Sequence, residues 1–158
     1  MEPRITLLPA KKLVGKSIRT TLHENQTVVL WQSFMPLRKH IHTISPNLYA
    51  VHVYDSVLTE AFTPETPFDK WAAAEVAPDT PTPEQLQALL LPEGLYAVFI
   101  HKGLPSDFPR TMAQIYSEWL PQSKYALDHR PHFEVMLPGY SPTAPDAEEE
   151  VWVPVRKR

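Results

Sequence analysis

A glutamate stands where a strand would be expected to carry an apolar residue. In HFEVMLPGY, His132 to Tyr140, the residues Phe133, Val135 and Leu137 alternate as one apolar face, while Glu134 and Met136 share the other. A carboxylate set among hydrophobic groups suffers a desolvation penalty unless a cation or a hydrogen-bond donor meets it. It can therefore hold a cationic ligand, with cation–π attraction from nearby aromatic rings. Kept partly protonated by burial, it can instead act as a general acid or base. Glu150 and Trp152 in EEEVWVPV, and Trp71 in DKWAAAEV, are the further acid and aromatics at strand positions. Tyr96 in LYAVFI is open to either a core or a pocket-rim role. Met112, Ile115, Tyr116 and Trp119 recur at helical spacing; the first two suit a core, and the last two carry polar ends that need partners.

Other chemistries find little support. The four glycines make no dinucleotide or phosphate-binding loop, and GxSxG and HExxH are absent. With no cysteine, thiolate catalysis, disulfides and cysteine-held zinc are excluded. His40 and His42 diverge at a helix end, and His129 and His132 flank a proline, so no metal site and no cofactor is expected. A net charge of −3 gives no general attraction to nucleic acid, and the basic end Arg156-Lys157-Arg158 reads as a solvated terminus. No signal peptide is read at the start, and no run approaches the roughly 20 apolar residues of a membrane span. The expectation is a cytoplasmic protein that binds neither DNA nor membrane.

The elements that must position these residues follow from punctuation and period. At 158 residues and 43% hydrophobic, the chain suits one domain, residues 1–158. Prolines cluster from Pro64 to Pro92 and from Pro138 to Pro145, which marks two long irregular connections. Around them the order strand (13–22), helix (27–41), strand (48–55), strand (70–76) recurs as strand (95–102), helix (108–122), strand (132–137), strand (150–155). Trp71 and Trp152, Met35-Pro36 and Leu120-Pro121, and Leu48 and Phe133 recur at near-constant separation, as a duplication would leave them. The reading is an α+β domain of two pseudo-twofold strand–helix–strand–strand modules, about 1–80 and 86–158. Their antiparallel sheet carries helices on one face, with a ligand cleft at the junction. Val151, Val153 and Val155, Phe133 and Val135, and Tyr49, Val51 and Val53 are assigned to the helix-packed core. Glu134, Met136, Glu150 and Trp152, with Ala50, His52 and Tyr54, are assigned to the opposite, cleft-forming face.

Taken together, KKLVGKSI, LWQSFMPLRKHI, DKWAAAEV, GLYAVF, EWLPQS, FEVM and EEVWVPV resemble the GyrI-like family, the AraC-type effector-binding or gyrase-inhibitory domain, over nearly the whole chain. The resemblance implies a groove that takes amphipathic, often cationic aromatic compounds over a central glutamate, here Glu134. Glu150 and Trp152 fall on the acid and aromatic of the last strand, Tyr96 on the strand tyrosine, and Tyr116 or Trp119 on the helix aromatics. Met136 stands where many relatives carry an aromatic, and Trp152 where they carry tyrosine. No helix-turn-helix precedes the domain, so a stand-alone role in drug or toxin sensing, sequestration or resistance is expected rather than that of a whole transcription activator. The resemblance also implies two alternatives. One is a hydrolase opening cyclopropane rings of DNA-alkylating natural products, with Glu134 and Tyr116 as catalytic groups. The other is a protein-interaction domain acting on DNA gyrase.

Overall fold

The computed structural model describes residues 2–59 and 61–158. Among these residues nine strands form one antiparallel sheet: β1 (Arg4–Leu8), β2 (Lys11–Thr20), β3 (Thr43–Val53), β4 (Phe68–Val76), β5 (Gln87–Leu91), β6 (Gly94–Lys102), β7 (Tyr125–Leu127), β8 (His132–Met136) and β9 (Glu148–Lys157). The order is β1-β6-β9-β8-β3-β4-β2-β5, with β7 added on β9. Two helical segments complete the α+β fold. Helix α1 (Thr27–Phe34) passes into a 3₁₀ turn at Met35–His40, with Pro36 in its first turn. The second is composite: α2 (Phe108–Ala113), a π-helical stretch Gln114–Trp119, and α3 (Leu120–Gln122). Pro121 has no N–H for the carbonyl four residues back, and its ring crowds that carbonyl. The widened turn just before it accommodates both effects.

Register exposes the pseudo-twofold. Strands β3 and β8 pair as Leu48↔Met136, Ala50↔Glu134 and His52↔His132. That ladder is its own image when Leu48 is carried onto His132 and Ala50 onto Glu134. The second ladder behaves alike. Pairs Arg4↔Val98 to Leu8↔Gly94 continue in the same alignment as Lys11↔Leu91 to Gly15↔Gln87, broken only at Pro9-Ala10 and Pro92-Glu93. Strands β1 and β2 thus act as one long bent strand, β5 and β6 as another, and their pairing curls the sheet. Gly15 lets β4 come close: a Cβ there would stand 2.0 Å from the Ala72 carbonyl oxygen.

Because the sheet curls, both faces are buried. The outer face carries the helices. Leu30 and Phe34 of α1 pack on Val14, Ala72, Ala74 and Val76, while Ile115 and its neighbours pack on Ala97, Phe99, Val151, Val153 and Val155. The inner face closes on itself around Leu13, Tyr49, Val51, Trp71, Tyr96, Phe133 and Val135.

Several expectations need correction. The valines of β9 do lie beneath a helix, but Phe133, Val135, Tyr49 and Val51 do not. Each β-residue shares its face with the residue directly opposite, so Glu134, opposite Val151 and Ala50, is on the helix face. Trp152, opposite Phe133, is on the inner face, so Glu134 and Trp152 do not share a side. Among the described residues the helix-free face packs on itself around this inner core, where the cleft had been expected. The region from Pro64 to Pro92 is not irregular throughout either. QALLL between its prolines is β5, and β1 and β7 are further strands that alternation alone did not mark.

Candidate functional site

Each helix covers half of the outer face, and the central strands β3 and β8 lie between them. Glu134 is at the middle of this trough. Its twofold mate is Ala50, whose methyl group leaves room for the carboxylate. The row across the sheet next to it reads Ile18, Lys70, His52, His132. On the other side Met136 follows Glu134 along β8, and Glu149 precedes Val151 along β9 on the same face, opposite His101.

These residues form one network. His52 Nε2 is 3.1 Å from Glu134 Oε1, with the two side chains only 14% and 13% exposed. The Nδ1 atom of His52 is buried without a partner. A neutral imidazole donating Nε2–H to the carboxylate leaves there only an unused lone pair, whereas a second N–H would be a buried unsatisfied donor. The His52 ring stacks on Tyr54 and tilts against Phe68. Tyr54 in turn meets His132 edge-on, with ring centres 5.0 Å apart.

Tyr116, carried into the trough by the π-helical stretch, places its hydroxyl 3.1 Å from His132 Nδ1. Burial, reinforced by the positive charge of the Arg130 guanidinium, pushes His132 down to about 3. The ring is therefore neutral, and with its proton on Nε2 its Nδ1 accepts a hydrogen bond from the Tyr116 hydroxyl. Burial and then the charge of Glu134 hold the Tyr116 hydroxyl above its ordinary value, so it stays a donor.

Two further ionisable groups face the same space. Glu149 is pushed up to about 7, first by burial and then by the Glu134 charge, with Lys70 opposing. Lys70 is lowered, chiefly by burial, although Glu134 and Glu149 pull the other way. Its ammonium donates to Thr27 Oγ1, 2.5 Å away at the start of α1.

Of the residues expected at the site, Glu134, Tyr116 and Met136 come together here. Trp152, Glu150, Tyr96 and Trp71 belong to the inner face. Trp152 stacks on Phe133 with ring centres 5.2 Å apart and donates its Nε1–H to Glu150, which also meets Arg4 at 3.5 Å. Tyr96 is fully buried, donates to the Pro131 carbonyl and lies under the Arg130 guanidinium. Trp71 is a core residue of that face. Trp119 packs on Phe99 and Tyr125 beneath the second helix and lines, on its outer side, a cavity of about 400 Å³ with Glu2, Gln114 and Glu118. That cavity contains none of the trough's ionisable groups. A smaller cavity, about 200 Å³, runs from Tyr54 along the following loop to Phe62 and Pro67. His52, Tyr54, Lys70, His132 and Glu149 are the trough residues that sequence reasoning did not select. His52 and Tyr54 had been put on the same face as Glu134, and that signal was available. Among the described residues no group of three His, Asp or Glu side chains converges as a metal site.

A curled antiparallel sheet with two helices astride a central carboxylate and its aromatic walls is the layout of a small-molecule-binding domain. The family model of the GyrI-like small molecule binding domain matches residues 1–156, and the chain belongs to that family. No curated protein matches the chain. Among solved structures it is similar to SAV2435 bound to tetraphenylphosphonium, at 15% identity and TM-score 0.72 over 99% of this chain and 94% of that one. The EcmrR C-terminal domain matches at 16% identity and TM-score 0.72, over 99% and 98% of the two chains. A hydrolase encoded by lin2189 from Listeria innocua matches at 13% identity and TM-score 0.62, over 98% and 92%. At such identities the likeness speaks to the fold.

Proposed function

We propose that this domain captures amphipathic, cationic aromatic compounds in the trough between its helices, with Glu134 as the counter-charge, in a sensing, sequestering or resistance role. The observation that carries this reading is the placement of Glu134. It is a nearly buried carboxylate beside the pseudo-twofold axis, with the Tyr54 and Tyr116 rings near enough to feel its charge and, among the described residues, only His52 as its hydrogen-bond partner. A ligand cation there gains a charge-assisted contact in a poorly solvated place, and the rings add about 0.5–2 kcal/mol per good cation–π contact. The tetraphenylphosphonium bound by SAV2435 is an aromatic cation of this type. Titration calorimetry with tetraphenylphosphonium tests the reading. Glu134→Gln should weaken binding by about 1–3 kcal/mol and leave neutral planar compounds nearly unaffected. Equal affinity in both proteins would refute it.

One observation favours a second reading. Glu149, at about 7, gives the trough a carboxyl that is partly protonated near neutral pH beside a second carboxylate, the pairing that acid–base hydrolysis uses. A hydrolase acting on a strained ring would draw on Glu134 and Glu149, with Tyr116 as a donor. Product formed beyond one equivalent of protein, followed by mass spectrometry, separates turnover from capture.

A further inference from the structure

The trough is not symmetric in charge, although the fold beneath it is. The twofold that carries Ala50 onto Glu134 carries His52 onto Met136. It therefore carries Lys70, opposite His52, onto the β9 residue one step beyond the Val135↔Glu150 pair, which is Glu149. One end of the trough thus bears an ammonium and the equivalent end a carboxyl, with Glu134 between them. Lys70 is half-buried on the outer face, and no carboxylate among the described residues forms an ion pair with it; its side-chain partner is the Thr27 hydroxyl. Thr27 is itself committed as donor to Asn25 Oδ1, so it can only accept from Lys70, and two of the three ammonium protons are left for another acceptor.

A site built solely for a cation has no use for such a group. An unpaired ammonium in a poorly solvated space opposes every cationic ligand and is itself penalised by burial. Its presence has a physical rationale if the ligand brings an acceptor to it. Two strand spacings and one two-residue step separate the backbone positions of Lys70 and Glu134, roughly 12 Å. A fused-ring compound with polar groups at opposite ends spans this distance.

We propose that the trough selects zwitterionic aromatic amphiphiles, whose cation faces Glu134 and Glu149 and whose carboxylate, or equivalent acidic group, is taken by Lys70 at the start of α1. This inference rests on the capture reading above and narrows it from cations in general to dipolar compounds. Tyr54, which stacks on His52 and meets His132, supplies an aromatic ring at the side of this space.

Rhodamine 110 and rhodamine 123 provide the test, since they share one cationic xanthylium core and differ only in a free carboxylate against its methyl ester. Fluorescence titration of the wild-type protein near pH 7.5 should give tighter binding of the acid than of the ester by about fivefold or more, the scale of one charge-assisted contact. Lys70→Met should abolish or reverse that preference, and Lys70→Arg, which keeps the charge, should retain it. The proposal is overturned if wild-type protein binds the ester as tightly as the acid or more tightly, if it does not bind the acid, or if Lys70→Met keeps the preference. Failure of the capture reading looks different: Glu134→Gln would leave rhodamine 123 affinity unchanged, whatever the ratio between the dyes.

Discussion

Ala50 and Glu134 face each other across the two central strands and are each other's twofold mates, yet only one bears a functional group. The asymmetry follows from space. Two carboxylates directly opposed on adjacent strands would stand about 5 Å apart and repel. With alanine on one side, the single acid stands beside the axis and can be reached from either helix. Ala50→Glu should therefore reduce stability by about 1–3 kcal/mol at neutral pH and recover part of it below pH 5, when one carboxyl is protonated. Melting curves at pH 5 and pH 8 measure this, and a pH-independent loss would point to a simple clash.

Glu149 makes a prediction of opposite sense to the usual carboxylate. Its value in the folded protein is about 7 against an ordinary 4.5, so between these values the folded state holds more protons than the unfolded. Its contribution to stability is full below about pH 4.5 and is lost as pH rises through 7. Glu149→Gln should be close to neutral at pH 4.5 and stabilising by about 1–2 kcal/mol at pH 8, a figure reduced for partial solvent access. Chemical denaturation at both pH values decides it.

His132 titrates the other way. Its folded value of about 3 lies below the ordinary 6.5, so the unfolded state binds the extra proton and stability falls as pH drops from 6.5 towards 3. Between pH 4.5 and 6.5 this opposes the Glu149 effect, and the wild-type profile should be flat there. His132→Gln should be less stable at pH 7, through loss of packing and of the Tyr116 contact, but should show a shallower acid limb. An acid limb as steep as that of the wild type would exclude His132 as its source.

Trp152 separates site from scaffold. Stacked on Phe133 on the inner face, it is on the far side of the sheet from Glu134. Trp152→Phe should lower stability by about 1–2 kcal/mol through lost ring area and the lost hydrogen bond to Glu150, with tetraphenylphosphonium affinity changed by less than about twofold. A large affinity loss at unchanged melting temperature would return Trp152 to the ligand.

Gly15→Ala should be more severe than any of these. The added methyl would meet backbone rather than a side chain that could move, since the Ala72 carbonyl stands 2.0 Å from its position. A loss of about 3 kcal/mol or more is expected in a denaturant titration.

Much of this arrangement was legible in the chain. The recurring order of elements, the helices over Val151, Val153 and Val155, and the oddity of Glu134 all follow from period and from one residue out of character. The side on which Glu134 lies was not legible. Alternation identifies two faces but not which one meets a helix, and where the sheet curls enough to bury both, Phe133 and Val151 look equally like core. The same ambiguity displaced attention from Glu149 to Glu150 within EEE, where one step changes the face. Strand β5 was hidden for another reason: the prolines beside it read as loop, whereas Pro92, like Pro9 on the paired strand, marks the bend in a long strand.

The paired long strands have a consequence for how copies of the chain behave when concentrated. The sheet curls until, among the described residues, the outer sides of β1 and β5, five residues each, and of the three-residue β7 lack a neighbouring strand, and β1 and β5 each expose a leucine, Leu7 at 57% and Leu90 at 69%. Such edges invite a strand from another molecule to add on. Pro3 and Pro9 close in on β1 and Pro92 ends β5, so an incoming strand finds a short hydrogen-bonding ladder that proline interrupts before it can lengthen. The residues that bend the sheet around its inner core also keep it from growing into a fibre.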